Sequence, residues 1–373
     1  MTTQNNVSPA DATDEQSSGR SRVETLTLIR KVWPWAFLVF LLIFFTIASR
    51  ALNDVRFLNP RSIQGILVFA TQILLIGLGE TYVIITGGID LSVGFIVGLS
   101  AVVAALVMKA LHPAGVSPLP TVLIAALVAV LVSAIPGMIN GVLVARVKVP
   151  PFIATLGMGG IVQGAALLLS GGYPVAQQPP YLGQLGNGYL IYFWPGQGIS
   201  FFGLPEGAVA ADLQQIIPLI PNVVAATIFA TIIVWFILAK TQYGQHVYAI
   251  GGNFEAANRA GIPTQRSLIW VYTISAVLAG IAGVLWSARF TSGASNAGEA
   301  TLLTAIAAVV IGGASLFGGE GTVMGTIVGS LIVATIQFGL VILGVVPFWQ
   351  FVAVGVVVIV AVIVDQFGRT MGT

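Results

Sequence analysis

Apolar runs long enough to cross a bilayer recur along this chain from Trp33 to Val364, broken only by short polar or glycine-rich segments. About 20 mostly apolar residues span the hydrocarbon core as a helix, at about 1.5 Å per residue. No water reaches that core, so every backbone polar group must be satisfied within its own element. The runs are therefore read as transmembrane helices, and the fold class as an all-α polytopic helical membrane bundle. The composition agrees: 57% of residues are hydrophobic, 8% are charged, and mean hydropathy is +0.97. A soluble domain carries about 25% charged residues. The function classes left are transporter subunit, channel, membrane enzyme and scaffold.

Several chemistries are excluded at once. With no cysteine, neither disulfides nor thiolate chemistry is available. Two histidines, His112 and His246, make no multi-histidine metal cluster. The formal charge of +2, with no basic stripe, gives no reason to expect a nucleic-acid partner. No glycine-rich loop ends in Lys-Ser or Lys-Thr, so the chain does not hydrolyse nucleotide by that route. No catalytic residue, metal or cofactor is expected in this chain. Glu80 and Asp90 are thin provision for a proton relay, although two acids can suffice, so the energy for uphill transport is expected from another polypeptide.

Segmentation gives about ten spans, near 33–49, 62–85, 88–109, 119–145, 151–170, 216–239, 268–289, 300–318, 322–345 and 347–365. Residues 1–30 read as a flexible cytoplasmic tail and 31–369 as the transmembrane domain. Within that domain, 171–215 forms an external segment and 240–267 a cytoplasmic loop. Both ends fall on one side. If that side is cytoplasmic it holds Arg20, Arg22, Arg30, Lys31, Arg146, Lys148, Lys240, Arg259, Arg266 and Arg369. Only Arg50, Arg56, Arg61, Lys109 and Arg289 lie opposite, which favours N-in, C-in.

Local chemistry concentrates in a few places. After Tyr248, Asn253 reads as an N-cap, Ala256, Ala257 and Ala260 favour helix, and Glu255 and Arg259 stand four apart. Gly261 and Pro263 then stop a helix of roughly two turns. Its alanines would let a partner approach closely, or it is an ordinary connector. In Gly87-Gly-Ile-Asp-Leu-Ser-Val-Gly94, Asp90 reads as the cap of a helix entering at Leu91, in preference to a substrate or proton site. Glu80 has no such explanation and reads as a buried neutral acid, a paired acid or a substrate ligand.

Other signals are weaker. Gly94 with Gly98, Gly137 with Gly141, Gly160 with Gly164 and Gly325 with Gly329 are spaced for close helix packing. The stretch Gly312-Gly-Ala-Ser-Leu-Phe-Gly318 faintly echoes the one at Gly87, as related halves of transporters do. Gln72, Ser92, Asn140, Thr155, Gln163 and Gln337 join Glu80 and Asp90 as candidate pathway or structural polar residues. As a set they fit an uncharged polar permeant better than an ion, with Phe69, Phe152 and Phe338 near them in sequence.

Five stretches resemble the ribose-type ABC importer permeases. They are Gly87–Gly94, Gly137-Met-Ile-Asn-Gly-Val-Leu-Val144, Val149-Pro-Pro-Phe-Ile-Ala-Thr-Leu-Gly157, Tyr243–Ala257 and Ala308–Thr322, in the family's order between about Phe57 and Phe367. The resemblance implies a multi-pass bacterial inner-membrane subunit for a monosaccharide or related polyol, paired with a second copy or a close homologue. It also implies separate ABC ATPase subunits using ATP and Mg, a periplasmic sugar-binding protein and a lipid surround. The 248–261 helix then corresponds to the coupling segment. Gly252, Glu255 and Ala256 match its pattern, with Asn253, Ala257 and Arg259 beside them. The rival expectation is a proton- or sodium-coupled secondary carrier of a small neutral solute. The 171–215 segment is longer than usual for such permeases.

Overall fold

The computed structural model describes residues 32–205, 207–209, 212, 215–346, 348–356 and 359. The expected 1–30 tail and the end of the 347–365 span lie outside the described residues. Among those described, eight helices are long and apolar enough to cross a membrane. They are α1 (Val32–Asn53), α2 (Pro60–Ile85), α3 (Val93–Leu111), α4 (Pro118–Val142), α5 (Pro151–Ser170), α7 (Asn222–Lys240), α10 (Thr264–Phe290) and α12 (Val323–Ile342). Shorter helices are α6 (Pro180–Asn187), α8 (Gln242–Gly252), α9 (Phe254–Arg259) and α11 (Glu299–Ile311), and 348–356 is helical again.

Local chemistry sets several boundaries. Pro60 opens α2 behind Asn59, whose side chain accepts from the Ser62 amide. α4 passes through Pro136 and ends in a π-helical turn, Leu143–Val147, which Lys148 closes in the left-handed conformation. Where the expected spans differ, the reason is punctuation. The span placed at 88–109 starts at Val93, because the glycines and Asp90 form a turn. The span placed at 300–318 is the 13-residue helix α11, stopped by Gly312 and too short to cross on its own. The span placed at 216–239 starts at Asn222, because Ile217–Pro221 is a strand.

That strand belongs to a small sheet absent from the all-α expectation. β1 (Tyr189–Trp194), β2 (Gly198–Phe201) and β3 (Ile217–Pro221) pair antiparallel in the order β2-β1-β3. A hairpin at Gly196 and Gly198, both at positive φ, joins β1 to β2. The sheet and α6 sit against the ends of three spans. Gln64 of α2 donates to the Pro218 carbonyl, Asn187 to that of Arg289 in α10, and Asn222 of α7 to that of Leu185, while the preceding loop bridges Val175 to Gly293.

α10 runs through the middle of the bundle against α2, α3 and α4, while α12 and α11 pack on α2 and α5 on α3. Lipid offers no hydrophobic drive between helices, so close van der Waals packing must hold them. A Cβ at Gly141 would lie 2.6 Å from Ile269 Cα, and one at Gly280 2.8 Å from Ser133 Cβ. Gly94 and Gly98 of α3 meet Gly298 and Ser295, and Gly325 and Gly329 of α12 meet the Gly312 and Ala308 carbonyls. Three of the four expected glycine pairs thus bring backbones together. Gly160 and Gly164 of α5 face open space instead. On the outer faces Leu123, Leu127 and Leu131 of α4 and Phe229, Ile232 and Phe236 of α7 are exposed, as lipid contact requires.

Candidate functional site

α2 ends where Gly87 adopts φ +79°. The Gly87 amide donates to the Ile84 carbonyl at 2.9 Å and the Gly88 amide to that of Val83 at 3.0 Å, a Schellman closure. The chain then turns through Asp90, whose Oδ1 accepts from the Ser92 amide at 2.9 Å and the Ser92 hydroxyl at 2.5 Å. Asp90 therefore braces the turn and does not cap a helix at Leu91: α3 begins after Ser92. The short Asx-type turn satisfies the Ser92 amide, and Thr155 takes that of Leu91.

Four elements converge on this turn. Asn140 of α4 donates to Ser92 Oγ at 2.9 Å. Thr155 of α5 accepts from the Leu91 amide at 3.1 Å and donates to the Pro151 carbonyl at 2.9 Å. Glu80 of α2 accepts from the Asp90 amide, at a long 3.4 Å. A Cβ on Gly88 would meet the Tyr272 hydroxyl of α10 at 2.5 Å. Glu80, Asp90, Ser92, Asn140 and Thr155 are all fully buried. Glu80 Oε1, Asp90 Oδ2 and Asn140 Oδ1 have no hydrogen-bond partner. Five of the eight candidate polar residues thus form one knot around one turn.

The other three lie elsewhere. Gln72 donates to the Ala297 carbonyl at 2.8 Å, holding α2 to the start of α11. Gln163 donates to Glu299 at 2.8 Å. Gln337 lines a groove of about 790 Å³ with Glu299, Thr304, Gln350 and Phe351. The phenylalanines offer no shared platform to these amides: Phe69 meets Phe338 edge-on at 5.8 Å in the core, and Phe152 is exposed. Sequence reasoning missed Tyr272 and Glu299. A tyrosine inside an apolar span was the available signal, since its hydroxyl must find a partner when buried.

The α8–α9 pair lies next to this knot. Asn253 caps α9 as the sequence indicates, accepting from the Ala256 amide at 2.9 Å, and Gly261 ends it at φ +81°. Glu255 and Arg259 pair at 3.5 Å, both about four-fifths exposed. Gly252, Ala256 and Ala260 are exposed, but Ala257 is buried with Ala145, Ile250 and Leu268. Ala257 therefore anchors α9 to the bundle, because alanines one residue apart point to different sides of a helix.

The expected 248–261 helix is two helices, divided where Asn253 caps α9, and α8 carries the contact to the spans. Gly251 packs directly on the Ile85 carbonyl at the end of α2. That carbonyl accepts from the Gly319 amide at 2.8 Å, and the Tyr248 hydroxyl donates to the Gly321 carbonyl at 2.7 Å. Tyr243 donates to the Ser267 carbonyl at 3.2 Å. Burial pushes both phenols above the usual tyrosine value.

The second of the two echoing motifs supplies this loop. Gly313, at φ +94°, closes α11 as Gly87 closes α2, with amides donating from Gly313 to Val310 and from Ala314 to Val309. Ser315 accepts from the Phe317 amide as Asp90 accepts from that of Ser92. Both motifs are therefore turns closing a helix, and α8 rests where they meet.

Comparison with known proteins places the chain in a permease family. Residues 62–362 match the family described as branched-chain amino acid transport system / permease component. The ribose import permease protein RbsC of Bacillus subtilis is 35% identical over 95% of this chain and 98% of its own length. The L-arabinose ABC transporter permease protein AraH of Azospirillum brasilense is 34% identical over 89% of this chain and 87% of its own. The D-allose transport system permease protein AlsC of Escherichia coli is 35% identical, over 85% and 86%. No solved structure matches the chain.

Proposed function

The chain belongs to the branched-chain amino acid transport system / permease component family, and from that premise we propose that it forms the translocation pathway of an ATP-driven, binding-protein-dependent importer for a monosaccharide or related polyol. The relatives named above are permeases for ribose, L-arabinose and D-allose. The chain sits in a bacterial inner membrane as a multi-pass subunit, with both ends cytoplasmic, and pairs with a second copy or a close homologue. ATP and Mg belong to separate ATPase subunits, and a periplasmic protein delivers the sugar to the α6 and sheet side.

One observation carries this reading: a polar helix pair between two spans leans on the ends of two other helices. α8 touches Ile85 of α2 and the loop that follows α11, so a push on α9 is transmitted to both. Gly252, Asn253, Glu255, Ala256 and Arg259 present the surface for the ATPase, with Ala257 as its buried anchor. Closure of the ATPase dimer on ATP would displace this surface, and release after hydrolysis would return it. A packed bundle transmits such a displacement because its interior is close-packed and hardly compressible.

The test is affinity isolation of the nanodisc-reconstituted chain from its native membrane. Recovery of a nucleotide-binding ATPase, whose hydrolysis rises with a sugar-loaded periplasmic protein, is the expected result. A stable particle without ATPase that takes up sugar on an ion gradient would overturn it.

A further inference from the structure

The knot around the 86–92 turn contains two carboxylates with no cation beside them. Neither Glu80 nor Asp90 makes an ion pair among the described residues, and both side chains are fully buried. An isolated ionised carboxylate in such a place is costly, and a second one beside it is costlier still. Among the described residues, the polar groups set around them are Asn140 of α4, Thr155 of α5, and the Tyr272 phenol and Ser275 hydroxyl of α10, and none of these is a cation.

The two acids are not equivalent. Asp90 Oδ1 receives two good donors, the Ser92 amide at 2.9 Å and its hydroxyl at 2.5 Å, which favour the anion. Glu80 has only the Asp90 amide at 3.4 Å on Oε2, and nothing on Oε1. An orphan oxygen at full burial costs free energy unless it becomes a donor itself, and protonation makes it one. The unpartnered Asp90 Oδ2 and Asn140 Oδ1 are acceptors within the same knot.

We propose that the 86–92 turn is a proton-binding site, in which Glu80 is a neutral carboxylic acid and Asp90 the carboxylate it accompanies. The ligand is a single proton. Its seat joins α2 to the turn on which α8 rests, so the proton keeps this joint free of a second negative charge. The sharing of roles follows from donor count: the better-served acid ionises and the poorly served one stays neutral.

Infrared spectroscopy of the full-length chain, in nanodiscs with its copurifying partners, tests this without reference to transport. Exposed carboxylates are ionised at neutral pH. A protonated-carboxyl C=O band at that pH therefore reports a buried acid. The expected band downshifts in D2O, moves when glutamate side chains are 13C-labelled, persists in Asp90→Asn and is lost in Glu80→Gln. With the label confined to this chain, where Glu80 is the one buried glutamate among the described residues, the assignment stands even if Glu80→Gln does not fold. Absence of the band at neutral pH would overturn the proposal. A band that moves with 13C-aspartate instead would put the proton on the wrong acid. Disappearance of the band on adding sodium would make the site a sodium site. The band is read whether or not an ATPase is present, so failure here is distinct from failure of the importer reading.

Discussion

Glu255 is about four-fifths exposed, and its pairing with Arg259 at 3.5 Å is of the kind that adds little to stability. Glu255→Ala should therefore leave insertion and the thermal unfolding midpoint unchanged while lowering ATPase binding or sugar-stimulated hydrolysis. Normal stimulation in that variant would remove Glu255 from the docking surface. Glycines allow a sharper contrast. A Cβ at Gly141 would press on Ile269 of α10, whereas one at Gly164 meets nothing within 4 Å. Gly141→Ala should cost about 1–3 kcal/mol through forced backbone shifts. Gly164→Ala should cost nothing measurable in the same nanodisc melts. Equal melts for the two would contradict the packing described here.

At the scale of elements, α8 is the joint between the α9 surface and the spans. Tyr248→Phe removes the bond to the Gly321 carbonyl, a contact worth about 0.5–1.5 kcal/mol. The chain should still fold and bind ATPase, but with fewer sugars moved per ATP hydrolysed, a ratio measurable in proteoliposomes. The same element carries a pH dependence. Burial raises Tyr243 and Tyr248 above the free tyrosine value of about 10. The folded state holds these protons more tightly than the unfolded one, so their contribution is complete below that value and is lost as pH rises past it. Thermal melts from neutral to strongly alkaline pH should fall on the alkaline side, and less so when both residues are phenylalanine.

For the molecule as a whole, the two ends of the bundle are built differently. One carries α8, α9 and the two echoing turns. The other carries α6 and the β2-β1-β3 sheet, tied down through Gln64, Asn187 and Asn222. On the proposed reading they meet different partners. Replacing the β1–β2 hairpin, 189–201, with a short glycine-rich link should weaken stimulation by the loaded periplasmic protein. Basal ATPase activity and ATPase binding should persist. Loss of ATPase binding in that variant would contradict the division of the two ends.

Much of this was legible in the chain because lipid enforces local rules. Each span must satisfy its own backbone, so length and hydropathy alone located eight helices, and the caps at Asn253 and Gly261 followed from side-chain and backbone preference. The family likewise followed from contiguous motifs such as Gly87–Gly94. Elsewhere the reading fell short: apolar Gly312–Gly318 extended α11 on paper, and the pairing of the 189–201 aromatics into a sheet with 217–221 was not foreseen. Glu80, Asp90, Ser92, Asn140 and Thr155 were each visible as polar residues in apolar surroundings, but not as neighbours. Spans whose helical surfaces are apolar nearly all round give little indication of which faces meet. That choice fell to the fit of glycine backbones and to buried donors and acceptors, which are settled only when the helices pack.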